Sequence, residues 1–206
     1  MLNIRKTELP EKCRVICVSD MHAHYDEFAR LLQKCGYDKK TDYLFVLGDI
    51  MERGKQNIEL LRYVMRLTGE SDRVYCVLGN NDTMAVRMAY SDSSEKFRSR
   101  LIDRPENAFY DMAYSIGIKD PLDDFENNRE KVRTAFKAEL DFLSALPDVI
   151  ETQRHIFVHA GLENRTDWEN TDSVYSCCKR WWLREENPTD KCIVVGHFPT
   201  YNYARC

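Results

Sequence analysis

CRVICVSDMHAHYDEFARLLQKCG, Cys13 to Gly36, is the stretch on which the fold turns. Cys13–Ser19 is an apolar run rich in Val and Ile and is short enough for a strand. From Tyr25 to Cys35 the apolar residues Phe28, Leu31 and Leu32 recur at helical spacing, and Gly36 stops the helix. Outward from there the same order repeats. Tyr43–Leu47 (YLFVL) reads as a second strand. Asn57–Leu67 reads as a second helix, with Ile58, Leu61, Val64 and Met65 on one stripe. Arg73–Leu78 (RVYCVL) reads as a third strand. Strands separated by helices of about 10–15 residues form βαβ units, so the fold class is α/β with a parallel sheet.

The middle of the chain reads differently. Thr83 to Leu146 carries no convincing strand pattern and a single glycine, Gly117. Its best helix is Arg129–Leu146, where Val132, Phe136, Leu140 and Leu143 keep helical spacing and Pro147 closes the run. Asp92–Asn128 is charged and weakly patterned, as a cap or lid would be. The sheet pattern resumes at Val149–Glu151, His155–His159 (HIFVH) and Lys191–Gly196 (KCIVVG). The expectation is one domain, 1–206, with 92–146 a mostly helical cap or insertion.

Composition limits the function. Of 206 residues, 43% are apolar and 31% charged, which supports a packed core and argues against a disordered chain. A net charge of -4 argues against a clamp on duplex nucleic acid or a polybasic membrane binder. No apolar run is long enough to span a bilayer. The first twelve residues, MLNIRKTELPEK, have no apolar leader core, so the expected compartment is the cytoplasm. The eight cysteines then read as reduced thiols. Cys13, Cys17, Cys76 and Cys192 fall in runs that look like buried strands, and the adjacent Cys177 and Cys178 have poor geometry for pairing with each other.

The chemistry collects just after each apolar run. After the first comes Asp20-Met21-His22, and after the second Gly48-Asp49, followed by Glu52-Arg53-Gly54. Gly79-Asn80-Asn81-Asp82 follows the third, His159-Ala160-Gly161 follows HIFV, and Gly196-His197 follows CIVV. In open α/β sheets ligands bind beyond the carboxyl ends of the strands. Singly, such an Asp is a turn former and such a His a hydrogen-bonded structural residue. Five strand ends presenting these types in order point to a site. If residues 20–22 stay extended, the Asp20 and His22 side chains point to one side and can share an ion. Mixed oxygen and imidazole donors suit Mn, Fe or Zn better than Ca. Asp20, His22, Asp49, Asn80, His159 and His197 exceed what one ion needs. Two ions bridged by one carboxylate would use them all and would favour in-line displacement at phosphorus. Arg53, close after Asp49, has the guanidinium fork suited to phosphate.

This pattern resembles the calcineurin-like metallophosphoesterases, most of all the small bacterial and phage form of their serine/threonine protein phosphatase branch. That branch reads GDxHG, GDxxDRG, GNHE, HAG and GHTP. The stations here are SDMHA (Ser19–Ala23), GDIMERG (Gly48–Gly54), GNND (Gly79–Asp82), HAG (His159–Gly161) and GHFP (Gly196–Pro199), so the resemblance spans roughly residues 14 to 200. It implies a two-sheet β sandwich flanked by helices. It also implies two divalent metal ions, with Mn2+ expected ahead of Fe or Zn. Asp20, His22 and Asp49 would hold the first ion, and Asp49 would bridge to the second, completed by Asn80, His159 and His197. Arg53 would bind phosphoryl oxygens. Trp182-Leu183-Arg184 fits the family's W-x-R stretch and makes Arg184 a second phosphate arm, against the plainer reading of a solvated arginine beside a core tryptophan. Family members continue with further strands after the GH station, beyond Cys206 where this sequence stops.

The sequence departs from the family at the acid. Where the family places a histidine thought to protonate the leaving group, and an aspartate that orients it, this chain has Asn81 and Glu52. Asparagine has no titratable proton. General acid catalysis contributes about 10²–10⁴-fold, most where the leaving group is poor. His24, near His22, is a candidate replacement acid, against its reading as a surface residue at a helix start. The resemblance therefore implies hydrolysis of phosphate monoesters, on a phosphorylated protein or a small ester, by hydroxide activated between two metals. Two alternatives follow from the missing acid. One is a dinucleotide polyphosphate (phosphoanhydride) hydrolase, and the other is a weakly active pseudo-phosphatase that binds phosphorylated ligands.

Overall fold

The computed structural model describes residues 1–90, 107–163, 165–172 and 186–199. Its strands form two sheets. One is all parallel, in the order β2-β3-β4, from Val15–Val18 (β2), Tyr43–Val46 (β3) and Val74–Cys76 (β4). The other has the order β1-β5-β6-β7, from Ile4–Lys6 (β1), Val149–Glu151 (β5), His155–Val158 (β6) and Cys192–Val194 (β7). Within it β5 and β6 run antiparallel, while β1 pairs with β5 and β7 with β6 in parallel. The architecture is the two-sheet α/β arrangement flanked by helices, with a mixed second sheet where βαβ reading alone suggested parallel strands.

Alternation along β3 explains the layering. Leu44 and Val46 face the helices, whereas Tyr43, Phe45 and Leu47 face the other sheet. All four β3 residues are buried, which is why the run reads as continuously apolar. Between the sheets, Phe45 stacks on Phe157 with ring centroids 3.7 Å apart and on Tyr75 at 4.9 Å. On the outer face of the second sheet, Leu2, Leu162 and Trp168, the last in a 3-10 turn at Trp168–Asn170, cover Val149, Ile156 and Val158.

The helical layer lies on β2-β3-β4. Helix α1, Tyr25–Lys34, buries Phe28 and Leu32, and α2, Asn57–Glu70, buries Leu60, Leu61, Val64 and Leu67. Helix α3 is Asn80–Tyr90 and α4 is Ala108–Ser115. The single helix expected over Arg129–Leu146 is two, α5 (Phe125–Ala135) and α6 (Lys137–Ala145). The chain leaves helical torsions at Phe136 (φ -112, ψ 27), which lets this buried ring join the core while α6 packs on α2 and α3. Within 92–146, residues 92–106 lie outside the described residues. From α4 onward the segment contributes Phe109, Met112, Val132, Leu140 and Leu143 to the same core as α1 and α2.

Strand β1 has no apolar periodicity to announce it. Three residues pair with β5 through register Ile4↔Val149, so tertiary pairing makes the strand. The described cysteines are free; Cys76 is buried, but Cys17 and Cys192 are exposed, contrary to the buried-strand reading. Among the described residues no helix is long and apolar enough to cross a membrane.

Candidate metal centre

The C-terminal ends of β2, β3, β4, β6 and β7 deliver their following residues to one edge. The backbone there is strained. Asp20 (φ 54), His22 (φ 45), Asp49 (φ 54) and His197 (φ 64) all take left-handed torsions. Asp and His tolerate that region better than most residues, but it is still uncommon, and such outliers persist where the surroundings over-determine them. The extended course expected for residues 20–22 is therefore corrected: tight turns, not strand alternation, bring the two side chains together. His22 Nε2 lies 3.9 Å from Asp20 Oδ1.

Backbone bonds fasten these turns. His22 N donates to the Asp49 carbonyl at 3.0 Å, and Asp20 N donates to the Gly48 carbonyl at 3.1 Å. The loops also approach too closely for side chains. A Cβ on Gly79 would collide with the backbone nitrogen and Oδ1 of Asp49, so glycine at this position lets the β3 and β4 loops touch.

Two groups of donors result. One ligand atom each from Asp20, His22 and Asp49 lies within 4.8 Å of the others, and the same holds for Asp49, His159 and His197. Asp49 belongs to both and divides its oxygens between them. Its Oδ2 is 3.7 Å from His22 Nε2, and its Oδ1 is 3.5 Å from His159 Nε2. His159 Nε2 is also 3.2 Å from Asn80 Oδ1 and 3.1 Å from His197 Nδ1. All six ligand candidates thus converge. Oxygen and imidazole donors around one shared carboxylate fit a pair of divalent cations.

The tautomers fit as well. His159 Nδ1 lies 2.6 Å from the Leu47 carbonyl and His22 Nδ1 lies 3.2 Å from the Met51 carbonyl. With those nitrogens as donors, each Nε2 is left as the ligand atom. Burial pushes the pKa of His22 down and outweighs the Met51 carbonyl and the Asp49 and Asp20 charges, with the Arg53 charge acting in the same direction as burial. Burial also opposes ionisation of Asp49, but His159 and the donors of Asn81 outweigh it and hold the carboxyl at about 2. His159 responds in kind: burial alone would lower its pKa, and Asp49 raises it.

Asn81 stands where the resemblance implies an acid. Its backbone N donates to Asp49 Oδ1 at 2.9 Å and its Nδ2 donates to Asp49 Oδ2. The amide thus supports the shared carboxylate. Glu52, 4% exposed, accepts from Ala108 N at 3.0 Å, at the first residue of α4. His24 is exposed at the N-cap position of α1, and its Nδ1 is 3.0 Å from the Met21 carbonyl. Arg53 is exposed, and its charge reaches His22. Arg184 lies outside the described residues.

Three supporting residues escaped sequence reasoning. Fully buried Asp82 accepts from Ile50 N (2.9 Å), Met51 N (3.1 Å) and Gly79 N (3.0 Å), tying the loops that carry Asp49 and Asn80. Burial, with the Asp49 charge, pushes its carboxyl up to about 6. Its position three residues after Gly79, at the start of α3, has the spacing of a capping box and was a usable signal. The hydroxyl of Ser19 donates to Asp20 Oδ2 and holds it toward the centre. Asn57 supports the Arg53 turn.

Comparison with known proteins places the chain in a family. The sequence profile of the calcineurin-like phosphoesterase family matches residues 13–206. A relative from Buchnera aphidicola subsp. Acyrthosiphon pisum (strain Tuc7), named symmetrical bis(5'-nucleosyl)-tetraphosphatase, is 36% identical over 93 residues, covering 44% of this chain and 33% of its own. One of the same name from Vibrio vulnificus (strain YJ016) is 30% identical over 157 residues, covering 73% of this chain and 45% of its own. The chain therefore spans between a third and a half of the length of these two relatives. Among solved structures, a protein described as a candidate diadenosine tetraphosphatase superposes with a TM-score of 0.60 at 18% identity, over 96% of this chain and 80% of that one. A protein serine/threonine phosphatase from Saccharomyces cerevisiae gives 0.51 at 14% identity, over 84% of this chain and 48% of that one. At these identities the likeness concerns the fold.

Proposed function

Because the chain belongs to the calcineurin-like phosphoesterase family, a family of metal-dependent hydrolases, we propose that it cleaves phosphoanhydrides of the dinucleotide polyphosphate class. The observation that carries this reading is Asn81, whose amide donates to Asp49 where an acid would otherwise stand. A serine or alkyl leaving group departs as a strongly basic alkoxide and needs a proton, whereas a nucleoside diphosphate departs as a stable anion and does not. The names of the relatives support the same substrate class and favour it over the phosphomonoester reading.

Asp20, His22 and Asp49 hold one cation, and Asp49, Asn80, His159 and His197 the other, with Mn2+ the proposed metal. Bound there, the two ions supply an activated water and positive charge at phosphorus. The chain's own groups do the rest. Asn81 fixes Asp49 through its backbone N and its side-chain amide. Arg53 and Arg184 hold the phosphoryl oxygens. Water oxygen bonds to phosphorus as the bridging P–O bond breaks, the nucleoside diphosphate leaves as an anion with the bridging electron pair, and the water proton passes to solvent. The cytoplasm is the proposed compartment, on composition.

A substrate panel on manganese-loaded protein tests this. Diadenosine tetraphosphate is expected to be cleaved at least about 10²-fold faster than an alkyl phosphate or a phosphoserine peptide, the range a missing acid explains. Faster turnover of the phosphopeptide overturns the reading. Asn81→His should raise alkyl phosphate hydrolysis relative to anhydride hydrolysis.

A further inference from the structure

The turn that carries Arg53 is held by groups that no part of the metal centre requires. Glu52 and Arg53 are consecutive left-handed residues, φ 75 and 70, and neither is glycine. Such a pair stays in place only if its neighbours impose it. Asn57, fully buried at the start of α2, brackets the turn from inside. Its Oδ1 accepts from Glu52 N at 2.7 Å, and its Nδ2 donates to the Gly54 carbonyl at 3.2 Å. The same Nδ2 donates to Asp111 Oδ2 on α4 at 2.6 Å. Helix α4 also reaches the turn directly, through the bond from Ala108 N to Glu52 Oε1 at 3.0 Å. On its other side the turn sits on the His22 loop. A Cβ on Gly54 would strike the His22 carbonyl, and Gln56 N donates to the Ala23 carbonyl at 3.0 Å.

We propose that Asn57 and Asp111 are positioning residues for Arg53, fixing the strained Glu52–Gly54 turn between the metal loop and α4 so that the exposed guanidinium meets the phosphoryl group in a set direction. The inference rests on the phosphohydrolase reading of Arg53. Among the described residues Arg53 bonds no scaffold that would aim it, so its direction comes from the torsions beneath it, and these depend on the Asn57 amide. Asn57→Asp keeps the acceptor for Glu52 N but sets a carboxylate against Asp111 and the Gly54 carbonyl, which releases the turn without touching a metal ligand.

The test is a double-mutant cycle on the full, manganese-loaded chain, read by calorimetric binding of inorganic phosphate, with bound manganese and the unfolding temperature measured in parallel. Arg53→Ala is expected to weaken phosphate binding about tenfold or more, as loss of a charged fork does. Asn57→Asp is expected to weaken it about tenfold through misplacement, with the manganese content unchanged. The double variant is expected to bind no more weakly than Arg53→Ala alone, a non-additivity that general loosening of the fold does not produce. Unchanged phosphate affinity in Asn57→Asp, losses that multiply in the double variant, or loss of manganese would each overturn the proposal. If Arg53→Ala itself leaves phosphate binding unchanged, the reading of Arg53 falls and the proposal with it, a distinct result. Should Asn57→Asp fail to fold, Asp111→Asn runs the same cycle, with a smaller shift expected because an oxygen acceptor for Asn57 remains.

Discussion

Loops after β2, β3 and β4 bring Asp20, His22, Asp49 and Asn80 to the candidate metal edge from one parallel sheet. Loops after β6 and β7 bring His159 and His197 from the other. The first set is welded locally: His22 N bonds the Asp49 carbonyl, and Asp82 collects three amides from two of the loops. The second set reaches its partners across the sandwich, through the His159 bond to the Leu47 carbonyl and the His197 N bond to Asp20 Oδ2 at 2.7 Å. One candidate cation group thus draws its side chains from a single sheet, and the other draws them from both. Asp49 is the hinge of that comparison because it belongs to both.

Asp49→Asn breaks both halves at once. The shared charge disappears while Asn81 can still bond the side-chain oxygen, so the fold should survive. Manganese binding is expected to fall from two ions toward none. Hydrolysis should drop by more than about 10³-fold, since each cation contributes several kcal/mol at phosphorus. Metal analysis and turnover check this together.

Phe157→Ala separates the halves. It removes the ring stacked on Phe45 between the sheets, at a cost of about 3–5 kcal/mol. If the second cation depends on sheet packing, the variant should lose affinity for one ion of two, the one at His159 and His197. Chemical denaturation gives the stability, and titration calorimetry the stoichiometry. Equal weakening of both ions would show that the halves are not independent.

The same comparison explains what the sequence made legible. β3 could be read because all its residues are buried, and the convergence of the ligand candidates could be read because each follows a strand. What escaped was set by contact between distant segments. β1 exists only through its register with β5. The break at Phe136 comes from the need to bury that ring, which a periodic pattern cannot announce. The left-handed torsions at Asp20 and His22 arise because the β3 loop claims their backbone groups, so alternation gave the correct neighbours for the wrong local reason. The bond from Asn81 to Asp49 was not legible, since a residue type does not say where an amide points.

The smallest expected effect lies at the end of the second sheet away from the metals. Glu151 on β5 has Lys6 of β1 at 3.1 Å from one oxygen and Lys191, just before β7, at 2.7 Å from the other. Burial works against its ionisation, but the two ammonium groups outweigh it and hold its pKa below the usual 4.5. A folded-state pKa lowered in this way contributes stability above about pH 4.5, and that contribution is lost as pH falls through the lowered value. Glu151→Gln should therefore cost less than about 1 kcal/mol at neutral pH, because partly exposed pairs are screened. It should also flatten the acid limb of the stability curve and leave manganese stoichiometry at two. Urea denaturation from pH 3 to 7 reads the first outcome and calorimetry the second. A loss of the His159 cation here would mean that the second sheet transmits strain along its length, and the metal edge would then depend on the whole sandwich rather than on the ring stack beneath it.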